Sequence, residues 1–222
     1  MTTVTEKLAA LRSWMSEHDV DCVVVPSTDP HMSEYPPEHR RVRAWISGFH
    51  GSAGTVVVTA DHAGLWTDSR YFLEAESVLA ETEFELHRLH TPGTADYPQW
   101  IARSVPRHGR VAFDFGVVTD AAFRSLEDTV ASREIELVDS GDLFDTLWAD
   151  RPAPPAEAVR VLGPETTGEE TPHKIGRIRD EITAAGAASH VVASLDDIAW
   201  ILNMRGADVE YNPVFTAYLI FD

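Results

Sequence analysis

Apolar residues along this chain fall into two rhythms, short β-branched runs and stretches repeating every three or four positions. Val20 to Val25 and Val56 to Val58 are runs that predict buried strands. Leu65-Trp66-Thr67 returns after Ala60-Asp61-His62-Ala63-Gly64 as the second arm of a hairpin. Thr3 and Glu6 have capping-box spacing, and Val4, Leu8, Leu11 and Met15 follow at helical intervals, ending near His18-Asp19. Asp68 is expected to cap a helix that begins near Arg70 and carries Phe72, Leu73 and Leu79. Further strands are expected at Glu83 to Leu89, Arg110 to Phe115 and Ile135 to Val138. Helices are expected after Asp96, with Trp100 and Ile101 inward, over Asp120 to Ser132, and over Gly141 to Trp148. This order describes an α/β domain with a mixed sheet flanked by helices. Ser27 to Arg43, rich in Pro, His and charge, reads as a long loop.

Asp150 to Ala156, DRPAPPA, is stiff and poor in amide donors, and it marks a boundary. The division expected is a first domain over 1–150, a linker over 151–165 and a second unit over 166–222. The second unit begins again. Thr171-Pro172 supplies a cap and a proline at the first helical position. Lys174, Ile175, Ile178, Arg179 and Ile182 then align with Lys7, Leu8, Leu11, Arg12 and Met15 at one offset. Val191-Val192, Ser194 and Asp196 match Val24-Val25, Ser27 and Asp29 at the same offset. Trp200-Ile201 and Gly206 answer Trp45-Ile46 and Gly51 once the first long loop is shortened, and Tyr218 to Phe221 takes the place of Val56 to Thr59. Generic helix-strand coincidence explains the Trp-Ile and Gly matches less well than the apolar ones, so the chain reads as a duplicated α/β unit. The second copy is expected to be incomplete, with an unpaired edge and too little apolar surface for independent stability.

Composition narrows the function classes. The 222 residues are 44% hydrophobic, enough for a core, and the 36 acidic and 18 basic residues give a net charge of -18. That balance argues against nucleic acid or an anionic membrane as a main partner. The single Cys22 lies in an apolar run and reads as a buried strand thiol. Met1 to Lys7 lacks the pattern of an export signal, no apolar run approaches the length of a membrane span, and the expected location is cytoplasmic.

Candidate chemistry is sparse. His31, Glu34 and His39 do not have the spacing of two histidines on one helix face, and a solvated loop is the simpler reading. Gly48, Gly51 and Gly54 precede a strand rather than a helix, unlike a nucleotide-binding loop, and serve as backbone punctuation. Ser194 with Asp197 reads as a helix cap rather than as one side of a carboxylate pair. Arg70 and Arg205, each beside a turn or helix, could bind a carboxylate or carbonyl or simply form surface salt bridges. No catalytic residue and no metal ligand is assigned on chemistry alone.

DPHMSEY (29–35), SGFHGSAGT (47–55), LWTDSRYFLEA (65–75), LWADRP (147–152) and SLDDIAWILNMRGADVEYNPVF (194–215) closely resemble the Xaa-Pro aminopeptidases of the longer, three-domain type. The resemblance covers nearly the whole chain and implies a creatinase/prolidase N-terminal-like domain followed by a second, truncated copy. It places catalysis elsewhere, in a following domain holding two divalent metal ions, usually manganese, on two Asp, one His and two Glu. None of those positions falls in this chain, so the resemblance implies no cofactor here. What it implies is a supporting role: homodimer formation and a narrowed entrance for short proline-containing peptides. It further suggests that Arg70 reaches toward bound peptide and that Arg205, Asp208 and Asn212 lie near that entrance. The rival reading is a free-standing module that binds peptide or protein without cleaving it.

Overall fold

The valine runs lie at the centre of a six-stranded mixed sheet. The computed structural model describes residues 3–222; Met1 and Thr2, which open the stretch read above as lacking an export signal, lie outside the described residues. It divides into two units, Met1–Pro152 and Ala153–Asp222. In the first, strands β1 (Cys22–Val25), β2 (Thr55–Thr59), β3 (Ala63–Thr67), β4 (Phe84–Arg88), β5 (Arg110–Phe113) and β6 (Glu136–Asp139) are ordered β4-β3-β2-β1-β5-β6. β2 runs antiparallel to β1 and β3, whereas the β3–β4, β1–β5 and β5–β6 pairs are parallel.

Both faces of this sheet are covered, which is why its strands read as continuous apolar runs. Val23, Val25, Val56, Val58 and Leu65 point to one face. There they meet Leu8, Leu11 and Met15 of α1 (Val4–Glu17), Ile46 of α2 (Val42–Ser47), Ala75 and Leu79 of α3 (Phe72–Leu79), and Phe144 of α6 (Phe144–Leu147). Cys22, Val24, Val57, Trp66 and Val111 point to the other. They pack on Ile101 of α4 (Tyr97–Ser104) and on Leu126 and Val130 of α5 (Asp120–Val130). Burial raises the Cys22 thiol well above its ordinary range, so it stays protonated.

Several expected boundaries move for local reasons. The long loop closes at Arg41: a short 3-10 turn (Glu38–Arg40) and then α2 occupy its end, the six residues of α2 being too few to show a helical repeat. Asp68 does not cap α3. Its carboxylate accepts from the backbone N–H of Arg70, two residues on, and the helix starts later, at Phe72, with no side-chain cap. β5 stops at Phe113 because Asp114 accepts from Gly116 N and begins a 3-10 turn. Thr171 is already helical, and Glu170 occupies the cap position.

The second unit carries α7 (Pro164–Thr167), α8 (Thr171–Ala184) and α9 (Leu195–Ile201), with β7 (Arg160–Val161) paired to β9 (Met204–Arg205) and β8 (His190–Val192) to β10 (Leu219–Phe221), each antiparallel. β8 and β10 reproduce the β1–β2 pairing, but one residue from the expected alignment. Leu219, not Tyr218, stands opposite Val192 as Val56 stands opposite Val25. Polar contacts repeat too. Lys7 Nζ donates to Trp45 O at 2.6 Å and lies 5.0 Å from the centroid of that indole. Lys174 Nζ donates to Trp200 O at 2.8 Å and lies 4.2 Å from its indole. Three residues after each tryptophan the backbone turns left-handed, at Gly48 (φ 77) and Asn203 (φ 54). The asparagine adds what glycine lacks, an Oδ1 that accepts from Lys174 Nζ at 2.6 Å.

Lys174 is only 2% exposed and the core around it is small, centred on Val192, Ile198, Ile201 and Phe221. Lys174→Ala should therefore strand the buried Asn203 Oδ1, take one donor from Trp200 O, which keeps the Asn203 N–H, and lower the protection of β8 and β10 amides by about 1–3 kcal/mol. Lys7→Ala, at a half-buried position, should cost the first unit less. Hydrogen exchange followed amide by amide measures both, and equal losses would show that the second unit does not depend on this contact.

Candidate functional site

The register of the central hairpin gathers the motifs of the first unit at one end of the sheet. The C-terminal end of β1, the N-terminal end of β2 and the C-terminal end of β3 are adjacent because β2 is antiparallel to both neighbours. Ser27, just past β1, fastens the glycine loop by donating to Gly54 O and accepting from Gly54 N at 2.9 Å. Thr67 Oγ1 donates to Ala53 O at 2.7 Å, and Ser52 Oγ lies 2.8 Å from the Tyr71 hydroxyl. Asp29 is buried and ties down its own loop by accepting from His31 N and Ser33 N. Between these segments opens a cleft of about 450 Å³, lined among others by Glu34, Tyr35, Arg43, His50, Ser52, Tyr71 and Glu74.

Arg43 is the cation at the floor of this region. It is 7% exposed, its guanidinium lies 4.9 Å from the centroid of Phe49, and one of its nitrogens donates to Gly51 O. Nε and Nη1 have no hydrogen-bond partner among the described residues. Burial lowers its pKa to about 10, opposed by the nearby Glu74 and Tyr71. Gly51 must be small, since a Cβ there would come within 2.7 Å of the Tyr71 ring and would also strike Phe49. The groups around the cleft are donors and acceptors of both charges, suited to holding and orienting a polar chain.

Arg70 stands at the strand-to-helix junction and is exposed. It forms a two-pronged pair with Asp68, Nε to Oδ1 at 2.9 Å and Nη2 to Oδ2 at 2.8 Å, and lies 5.1 Å from the Tyr71 ring centroid. Hydrogen bonding to Asp68 raises the Arg70 pKa, and the same bond lowers that of Asp68. Tyr35, whose phenol pKa is raised mainly by a hydrogen bond to Glu34, also feels the charge of Arg70. Arg70 is thus a neighbour of the cleft's Glu34–Tyr35 side.

The other three candidates belong to the second unit. Arg205 Nη1 donates to Ala199 O at 2.9 Å and to Met204 O at 2.8 Å, so it braces the end of α9. Asp208 Oδ2 accepts from Thr216 N at 2.7 Å, and Asn212 forms a bridge with Val209. All three stabilise the 204–216 loop. His31, Glu34 and His39 do not gather: His39 Nδ1 lies 2.7 Å from Pro152 O, while Glu34 lines the cleft.

A different cluster escaped the sequence reading. His62, Glu85 and His87 place one ligand atom each within 4.8 Å of the others, the only such group of three or more among the described residues. His62 is 23 residues from Glu85 and 25 from His87 in sequence, and they meet through the parallel β3–β4 pairing. Burial lowers the pKa of both imidazoles, opposed chiefly by Glu85. Period-two parity would have placed Glu85 and His87 on one face, but not beside His62.

Residues 7–147 match the family model described as Creatinase/Prolidase N-terminal domain, and residues 150–222 match a second model of the same description. The chain belongs to the creatinase/prolidase N-terminal domain family. Aminopeptidase P2 of Arabidopsis thaliana is 42% identical over 99% of this chain and 31% of its own length. A probable Xaa-Pro aminopeptidase P of Neurospora crassa is 42% identical over 97% of this chain and 32% of its own. The crystal structure of X-prolyl aminopeptidase from Caenorhabditis elegans, described as a cytosolic enzyme with a di-nuclear active site, superposes with a TM-score of 0.91 at 34% identity. It covers all of this chain and 38% of that one. The chain therefore spans about a third of the length of the curated relatives it matches, and corresponds to their N-terminal part. The creatinase-like α/β fold with a mixed sheet is the architecture expected from the sequence.

In this creatinase N-terminal domain the cleft depends on the close approach at Gly51. Gly51→Ala should destabilise the first unit by about 1–3 kcal/mol through overpacking against Phe49 and Tyr71. Gly176→Ala, in α8 with open space around it, should be neutral or slightly stabilising. Urea denaturation of the two variants measures the difference.

Proposed function

We propose that this chain is the supporting N-terminal region of an Xaa-Pro aminopeptidase, helping to position short proline-containing peptides for a metal-dependent hydrolytic centre in the region that follows it in the relatives. The observation that carries the reading is the match of both units to the N-terminal domains of such enzymes, with the peptide-sized cleft built from the same motifs. On this reading the assembly is a homodimer in the cytoplasm, whose N-terminal domains narrow the entrance to the site. No helix of the described residues is long and apolar enough to cross a membrane.

The residues present do not fit a dinuclear metal centre. The His62–Glu85–His87 group offers a single carboxylate, where the resemblance implies a pair of divalent ions held by two Asp, two Glu and one His. Their own contribution is to bind and orient. The Nε–Nη2 side of Arg70 is held by Asp68, which aims the outer Nη1–Nη2 end of the exposed guanidinium as the donor that a peptide carbonyl or carboxylate can engage. Arg205, Asp208 and Asn212 shape the second unit's loop, in which Asp208 and Asn212 serve the entrance indirectly through its conformation.

The test uses a parent polypeptide that includes the region following residue 222 in the relatives. Arg70→Lys there should lower kcat/KM for Xaa-Pro-Xaa peptides by roughly tenfold or more while leaving the melting temperature nearly unchanged. The 222-residue chain alone, with added Mn²⁺, should release no N-terminal residue above buffer. Unaltered kinetics with a lowered melting temperature would make Arg70 a purely structural partner of Asp68. Sustained turnover by the chain alone would overturn the reading of a supporting region.

A further inference from the structure

The His62–Glu85–His87 cluster lies at the edge of the first sheet, on the face shared with α4. His87 is stacked flat on Trp66, with ring centroids 3.8 Å apart and an interplanar angle of 3°. His62 lies 4.6 Å from the ring centroid of Trp100 and 6.3 Å from that of Trp66. The space that admits this packing exists because residue 64 is glycine. A Cβ there would stand 2.7 Å from His62 Nε2 and 2.5 Å from the edge of the Trp66 indole. The two imidazoles are thus held between aromatic walls, with their Nε2 atoms facing each other at hydrogen-bond reach.

Their spacing is informative. His62 Nε2 and His87 Nε2 are 3.3 Å apart, long for a hydrogen bond between two rings free to approach. Two nitrogens bound to one ion at about 2.0–2.1 Å in tetrahedral geometry stand about 3.3–3.4 Å apart. The third group is close: a Glu85 oxygen lies within 4.8 Å of a ring nitrogen of each histidine, 3.8 Å from His62 Nδ1, and its side chain, 66% exposed, is free to turn toward the Nε2 pair. Glu85, His87 and Trp100 also line a cleft of about 420 Å³, which provides an entry path and room for water at the remaining position.

We propose that His62, His87 and Glu85 form a binding site for one borderline divalent transition-metal ion of the Zn²⁺ class, with imidazole Nε2 atoms as two ligands and the carboxylate as the third. Two imidazoles and one carboxylate suit Zn²⁺, Ni²⁺ or Cu²⁺ better than the hard, oxygen-seeking Mg²⁺ or Ca²⁺. The alternative is a histidine pair that only fills the space between Trp66 and Trp100.

The experiment is calorimetric titration of the tag-free, metal-stripped 222-residue chain with ZnCl₂, with MgCl₂ as the control, paired with tryptophan fluorescence during Cu²⁺ addition. One equivalent of Zn²⁺ should bind, with no heat from Mg²⁺, and Cu²⁺ at His87 should quench the stacked Trp66. His62→Gln and His87→Gln should each weaken Zn²⁺ binding by about tenfold or more and abolish the quenching. Glu85→Gln, an exposed change that leaves the aromatic packing intact, should weaken binding without altering the melting temperature of the metal-free chain. This last variant keeps the test decisive if the histidine variants fold poorly. No Zn²⁺ binding, or binding unchanged in Glu85→Gln and in the histidine variants, would overturn the proposal.

Discussion

The antiparallel pairing of Cys22–Val25 with Thr55–Thr59 is the constraint on which the first unit depends. It buries valines on both faces of the sheet, and each buried valine contributes roughly 1.5–3 kcal/mol relative to exposure. The same register brings Ser27 against Gly54 and, through β3, Thr67 against Ala53. A slip by one residue would exchange the two faces and separate these contacts together. The cleft is therefore a consequence of core packing: its walls are the loops that the valine ladder leaves at one end of the sheet.

The two units solve one problem twice with different resources. In both, a lysine on the first helix donates to the carbonyl of a tryptophan and lies close to that residue's indole, just before a left-handed turn. The first unit surrounds this contact with a large two-faced core, and its lysine is half-buried. The second has a smaller core and buries its lysine almost completely, adding the side-chain oxygen of Asn203 as a further acceptor. A buried ammonium requires such acceptors, because an unpaired charge away from water would be strongly unfavourable.

The edge of the sheet shows how packing can arrange chemistry that no motif announces. His62 ends the β2–β3 hairpin, while Glu85 and His87 belong to the strand paired on the far side of β3. Aromatic stacking on Trp66 and Trp100 holds the imidazoles, and the absence of a side chain at Gly64 leaves them room. The placement combines strand parity, a parallel register and helix α4 above.

Read alone, the sequence determines the six strands of the first sheet and the β8 and β10 pair, most helices, the caps at Thr3, Asp96 and Ser194, and the mixed α/β class, because each rests on local propensity or period, whereas the two-residue strands β7 and β9 are too short to show one. It also determines the family, through long motifs such as SLDDIAWILNMRGADVEYNPVF. It did not reveal α2, too short to show a period, or the engagement of Asp68 with Arg70, where an Asx turn competes with a helix cap on equal local terms. Only the tertiary structure decided that Arg43 would be buried beside Gly51, and that His62 would meet His87 rather than His31 meet His39. Those meetings depend on which strands pair and in what register, a choice made by the summed burial of two sheet faces rather than by any local stretch of residues.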